Sequence, residues 1–214
     1  MDKKYSKNLT KIKSRNLPKD PYNIIITGVG GQGNVMASRI LGEMLLPEFM
    51  VTTGDTFGAS QRGGAVMSHL RISSTVWSPQ IPKGKADLIV GLEPGEALRA
   101  AKDYGNSNTV VVTNTRPVYP VGVTTGRLEY PSLQHIKEAL LKITDRVWFL
   151  NATDTALRDL QAPILGNTIL LGAVAGLKLL PIDKKDFERA VSRHLKDRLE
   201  INVKAFQIGM KMVE

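Results

Sequence analysis

After Pro21 the chain runs Tyr22-Asn23-Ile24-Ile25-Ile26-Thr27, a short β-branched stretch without polar alternation, which is the pattern of a strand covered on both faces. It enters Gly28-Val29-Gly30-Gly31-Gln32-Gly33. From Val35 to Leu46 apolar residues at 36, 37, 40, 41, 44 and 45 then recur at helical spacing, and Pro47 closes the run. Strand, glycine turn and helix follow one another. Further buried strands are predicted at Phe49 to Thr53, Asp87 to Leu92, Thr109 to Thr113 and Val147 to Leu150. Ala65 to Ile72 and Thr75 to Trp77, separated by Ser73-Ser74, read as an antiparallel hairpin. Gly54 to Gly64 reads as a long polar loop ahead of it.

A helix is predicted from Glu93-Pro94 through about Lys102, and the proline-rich stretch Arg116 to Pro131 is expected to be irregular. Beyond Leu150 the pattern turns helical near residues 153 to 160, 167 to 179, 183 to 196 and 199 to 212. Asp183 with Asp186 supplies an acidic first turn, and Ile201, Ala205, Ile208 and Met212 share one face. Strands alternating with helices, then a helical tail, define a three-layer, Rossmann-like α/β domain with a largely parallel sheet and a helical C-terminal part.

The 214 residues fit one domain, expected over residues 21–214. The formal charge of +9 changes the picture only once it is located. Residues 1–20 hold Lys3, Lys4, Lys7, Lys11, Lys13, Arg15 and Lys19 against Asp2 and Asp20, so +5 sits in a basic tail and +4 remains elsewhere. That tail is too polar to bury a face and is expected to be disordered. No secretory apolar core is visible. The longest apolar run, Ile169 to Leu177, is about half of the ~20 residues a membrane-spanning helix needs, so a cytoplasmic protein is expected. There is no cysteine, which excludes a cysteine-ligated iron-sulfur cluster, a thiolate zinc site or a cysteine nucleophile in this chain.

Gly28-x-Gly30-x-x-Gly33 stands where a phosphate or dinucleotide loop stands, after the first strand and opening the first helix, where unpaired N–H groups favour an anion. Three glycines making only a tight turn is the plainer reading. A nucleotide-hydrolysing loop requires Lys and Ser or Thr after the last glycine, and Asn34-Val35 is found instead. A nicotinamide site wants an acid about 20 residues on, and Asp55 falls 22 after Gly33. No hydride-transfer residues accompany it. His69, His135 and His194 are far apart and lack metal-ligand spacing, and His69 reads better as a hydrogen-bonded strand residue than as a base. Ser60-Gln61-Arg62-Gly63-Gly64, with a forked guanidinium beside two glycines, suits a phosphate, a carboxylate or another chain's backbone.

These loops, taken with Gly58-Ala59 and Ala65-Val66 around the second of them and with Ser78 to Asp87, resemble the gamma-type domain of 2-oxoacid:ferredoxin oxidoreductases. The likeness is nearest to the small beta subunits of the indolepyruvate type. Glu93-Pro94 with Glu96 to Arg99, Asn114 to Pro117 with Pro120, Tyr130-Pro131, Asn167 ahead of Leu171-Gly172-Ala173, and Asn202-x-x-Ala205-Phe206-x-x-Gly209 extend it, in order, from about residue 22 to 210. Asn34 and the basic extension depart from the family pattern.

The resemblance implies oxidative decarboxylation of an aryl 2-oxoacid with coenzyme A as substrate, giving an acyl-CoA and reduced ferredoxin. Thiamine diphosphate and the iron-sulfur clusters would sit on the large alpha subunit, this chain's implied partner, with ferredoxin reached through the complex. No catalytic residue, metal or tightly held cofactor is expected here. The chain would complete the cleft, with Gly28, Gly30, Gly31, Gln32 and Gly33 shaping an anion-tolerant turn and Ser60, Gln61, Arg62, Gly63 and Gly64 facing the partner's cofactor or the coenzyme A phosphates. An isolated subunit would expose an apolar docking surface and could pair with itself as a homodimer. Two other classes compete: a free-standing NAD(P)-binding Rossmann oxidoreductase resting on Gly28 to Gly33 and Asp55, and a module drawn non-specifically to nucleic acid by its tail.

Overall fold

The computed structural model describes residues 16–46, 48–57, 64–119, 121–126 and 129–214. One six-stranded sheet organises them. Its strands are β1 (Tyr22–Val29), β2 (Met50–Phe57), β3 (Ala65–Ser73), β4 (Leu88–Gly91), β5 (Val110–Asn114) and β6 (Val147–Leu150), in the spatial order β2-β3-β1-β4-β5-β6. Pairs β1–β4, β4–β5 and β5–β6 are parallel, whereas β3 runs antiparallel to both neighbours, β1 and β2. Five of the strands thus share one direction, as the strand–helix alternation predicts, with β3 set against them.

The helices are α1 (Asn34–Leu45), α2 (Pro94–Tyr104), α3 (Val121–Thr124), α4 (Leu133–Leu141), α5 (Ala152–Leu160), α6 (Gly166–Gly176), α7 (Lys184–His194) and α8 (Leu199–Lys211). Successive strand side chains point to opposite faces, so the run Ile24-Ile25-Ile26 feeds two cores at once. Ile24, Ile26, Leu88, Val90, Val110 and Val112 meet α1, α5, α6, α7 and α8 on one face. Ile25, Ile89 and Val111 meet α2 and α4 on the other. This double covering is why the central strands carry no polar alternation.

Several expectations need correction. The second strand does not stop at Thr53 but runs to Phe57, so Gly54 and Asp55 are strand residues paired across β3 rather than loop. Thr75 to Trp77 is not a strand, because Ser73 and Ser74 turn the chain away from the sheet. The Asp20 carboxylate accepts from the hydroxyls of both serines and from the Ser74 N–H, and Ser73 Oγ in turn accepts from Thr75 N–H and Trp77 Nε1–H, each at 3.1 Å. Two helices went unpredicted, the short α3 inside the proline-rich stretch and α4 beyond it. Helix α4 has a readable start: Ser132 Oγ accepts from His135 N–H, and Ile136 and Leu140 form its buried stripe.

Two further residues of the expected tail make contacts with the domain. Leu17 packs on the core, and Lys19 Nζ meets Asp87 Oδ1 at 2.8 Å. Asp183 and Asp186 do form the predicted acidic start, as a reciprocal capping box on α7.

Candidate functional site

The chain leaves β1 toward the face covered by α1, but leaves β4 toward the opposite face, covered by α2. The carboxyl ends of these adjacent parallel strands therefore diverge, and open α/β sheets bind ligands in the crevice such a divergence leaves. A cleft of about 330 Å³ lies there, floored by Gly31, Gln32, Leu92 and Asn114 and walled by Arg116, Val118, Thr153 and the Pro163–Leu170 segment.

Side-chain amides build its floor. Gln32 Oε1 accepts from Val29 N–H at 2.8 Å, and its Nε2–H donates to Leu92 O at 3.0 Å, which ties the glycine turn to the end of β4. Asn114 Nδ2–H donates to the same Leu92 carbonyl and to Thr153 Oγ1, while its Oδ1 accepts from Ala152 N–H and Thr153 N–H. It thereby caps α5. Asn167 Nδ2–H donates to Gln32 O at 3.1 Å, pulling the start of α6 against the turn. These polar groups are spent largely on backbone at a strand end, in the glycine turn and at a helix start.

The turn itself is held rather than loose. Gly30 N–H donates to Gly64 O at 2.8 Å, and Gln32 N–H to Val29 O at 3.2 Å. Gly33 caps α1 with φ of 81°, and a side chain there would meet Asn167 Nδ2 at 2.4 Å. Gly31, at φ of 102°, faces open space. Helix α1 begins next to this turn, and its N-cap, Gly33, contributes no side-chain hydrogen bond to the first turn. Arg116 at the mouth donates to Asp154 at 2.6 Å, both about half exposed. Among the described residues no other charged side chain lines the cleft.

Behind the cleft sits a buried acidic cluster. Glu93 Oε2 accepts from Glu96 N–H at 2.8 Å as the cap of α2. Its Oε1 accepts from the Tyr130 hydroxyl and from Val118 N–H at 3.4 Å. Burial, then the bond to Glu93, pushes the Tyr130 hydroxyl far above its ordinary range. Burial likewise raises Glu96, whose Arg99 partner at 3.4 Å opposes the shift and whose neighbour Glu93 adds to it.

Of the predicted site residues, Gly28, Gly30, Gly31, Gln32, Gly33 and Gly64 are gathered at one end of the sheet. Ser60, Gln61, Arg62 and Gly63 lie outside the described residues. Sequence reasoning gave no role to Asn114, Thr153 or Asn167, although an amide side chain directly after a buried strand or opening a helix is a readable signal. His69, on β3, accepts from Ile81 N–H at 3.3 Å and packs edge-on against Tyr104, the strand role expected for it. The three histidines do not converge, and among the described residues no group of three metal-ligating side chains forms.

The nicotinamide reading is overturned by topology. It needs Asp55 at the end of a strand beside β1, but β3 occupies that place, and Asp55 on the edge strand β2 accepts from Ser68 Oγ at 2.5 Å.

An α/β sheet with an inserted antiparallel strand, and at its switch point a cleft whose guanidinium, Arg116, is paired with Asp154, sets the class. The chain matches the family model described as pyruvate ferredoxin/flavodoxin oxidoreductase over residues 23–212 and belongs to that family. It is 38% identical over 189 residues to the indolepyruvate oxidoreductase subunit IorB of Archaeoglobus fulgidus, covering 87% of this chain and 92% of the relative. The Pyrococcus horikoshii subunit of the same name is 34% identical, covering 89% and 95%. Among solved structures, pyruvate oxidoreductase subunit PORC of Thermotoga maritima superposes with a TM-score of 0.66 at 20% identity, over 90% of this chain and 97% of that one. The likeness in fold covers nearly the whole described domain.

Proposed function

We propose that this chain is the small subunit of a 2-oxoacid:ferredoxin oxidoreductase of the indolepyruvate type, working with a large subunit that holds thiamine diphosphate and the iron-sulfur clusters. The observation that carries this is the 38% identity extending over 92% of a relative named as an indolepyruvate oxidoreductase subunit. On this reading the chain supplies the wall of a shared active site and part of the route for the acyl acceptor, coenzyme A. Its own contribution is to bind and orient. The uncapped start of α1 and the turn Gly28 to Gly33 favour an anionic group at the cleft. The hydrogen bond from Gly30 N–H to Gly64 O brings the end of the Ser60 to Gly64 loop to the same place, which supports a share for Arg62 in holding phosphate or the partner.

The test is reconstitution. Co-expressed with the large subunit, the chain should support reduction of a low-potential dye that depends on both an aryl pyruvate and coenzyme A, and neither subunit alone should do so. Arg62→Ala should lower turnover of the assembled enzyme about tenfold or more, the usual cost of losing a charge-assisted hydrogen bond, with the subunit still folded. Dye reduction at the expense of NAD(P)H by this chain alone would refute the subunit reading; wild-type kinetics in the Arg62 variant would refute that residue's role.

A further inference from the structure

The wall between Thr115 and Tyr119 separates two cavities. Arg116 and Val118 line the switch-point cleft, while Thr115, Pro117 and Tyr119 line a second cavity of about 220 Å³ that is shared with Pro94, Tyr130 and Ile136. Alternate residues thus face opposite ways, and the wall is a single extended chain thick. Its two ends are held differently. At the start, Thr115 N–H donates to Leu150 O at 3.0 Å and Arg116 is paired with Asp154, fixing it to β6 and α5. At the far end, among the described residues, no backbone hydrogen bond joins Pro117 to Tyr119 to the sheet. There Glu93 Oε1 accepts from Val118 N–H, and Tyr130, itself bonded to Glu93, packs edge-on against Tyr119 with ring centres 5.1 Å apart.

We infer that Glu93 is a positioning residue of the cleft: with Tyr130 it latches the Thr115–Tyr119 wall, and so sets the width available to the ligand. The carboxylate is suited to this because it is buried with every contact directed. One oxygen caps α2 and the other gathers the wall and the tyrosine, so the wall is indexed to the end of β4 beside Leu92 on the cleft floor. Released from the latch, the wall would pivot about Thr115 toward the second cavity, and the cleft would widen at its expense. Glu93 itself does not line the cleft, so it acts through Val118 and not on the ligand.

The inference concerns the cleft that the proposed function assigns to the acyl acceptor, and its consequence for coenzyme A rests on that reading. Two variants break the latch by different means. Tyr130→Phe removes the hydroxyl alone. Glu93→Asp keeps a good cap for α2 but withdraws the carboxylate from Tyr130. In both, hydrogen exchange at the Val118 amide should rise about tenfold, the equivalent of one lost hydrogen bond, with β1, β4 and α2 beyond its first turn unchanged, since Gly95 N–H in that turn is itself bonded to the Tyr130 hydroxyl at 3.2 Å. In the reconstituted complex KM for coenzyme A should rise severalfold at unchanged kcat, a split that general destabilisation does not produce. Exchange that stays at the parent rate in both variants, or rises equally across the sheet, would overturn the inference. An inactive parent complex would instead count against the proposed function, and the exchange measurement would still decide whether the latch exists.

Discussion

At the residue scale, the cleft is made by side chains that substitute for missing backbone partners. Strand ends and helix starts leave N–H and C=O groups unpaired; Gln32 and Asn114 each answer two or more of these needs, and Asn167 answers one, from a different element. Their chemistry was in plain view in the sequence, but which backbone group each would reach depends on how three loops converge. His69 shows the opposite case, a residue whose part as a hydrogen-bonded strand residue the sequence implied correctly. Burial lowers its pKa from the ordinary 6.5, with Asp55 opposing the shift, so the folded chain favours the neutral ring. Between the lowered value and 6.5 the unfolded chain binds more protons, so stability from this residue is complete above pH 6.5 and is lost as pH falls below it. Urea midpoints measured from pH 8 down to 5 should fall in the parent. They should fall less steeply in His69→Asn, whose Oδ1 can still accept from Ile81 N–H. Equal slopes would show that His69 is not the group responsible.

Among the elements, those patterned by burial on both faces or by caps were legible, and those made by a distant partner were not. The runs at Tyr22, Leu88, Val110 and Val147 identify themselves because helices cover both faces of the sheet. Strand β2 hides behind Gly54 and Asp55, residues that disfavour strands, because the register from Met50–Ser73 to Phe57–Val66 is supplied by β3. Gly54 is there for space: a side chain would approach Pro79 Cβ to 2.9 Å.

Helices α6 and α8 carry this logic furthest. Their backbones touch, so that a Cβ on Gly209 would lie 1.8 Å from Ile169 O and one on Gly172 would lie 2.0 Å from Phe206 O. The obstructing atoms are main chain and cannot rotate away. Gly209→Ala gains up to about 1 kcal/mol in helix propensity but must force the pair apart, at a cost of roughly 1–3 kcal/mol or more. The net should be a loss of several degrees in Tm. A variant as stable as the parent in thermal unfolding would contradict this packing.

For the whole molecule, most of the formal charge is concentrated at the start of the chain. Among the described residues no helix is long and apolar enough to cross a membrane, and the domain's contacts begin by Leu17, Lys19 and Asp20. Residues 1–15, outside the described residues apart from their sequence, hold six Lys and Arg against one Asp, a charge of +5, so removing them takes the formal charge from +9 to +4. If folding and electrostatic attraction reside in different parts of the chain, truncation should affect one only. The chain lacking residues 1–15 should unfold at the parent temperature, because Lys19 still reaches Asp87 and Asp20 still holds Ser73 and Ser74. It should leave a cation exchanger at lower salt, and any binding to polyanions should weaken with a reduced dependence on salt. The two readouts separate the alternatives. A fall in Tm would place part of the core in the removed segment, whereas unchanged retention would mean that the exposed charge of the domain governs attraction. Since the switch-point cleft lies at the carboxyl end of β1 and Pro21 enters at the other end, activity of the reconstituted complex should survive the truncation.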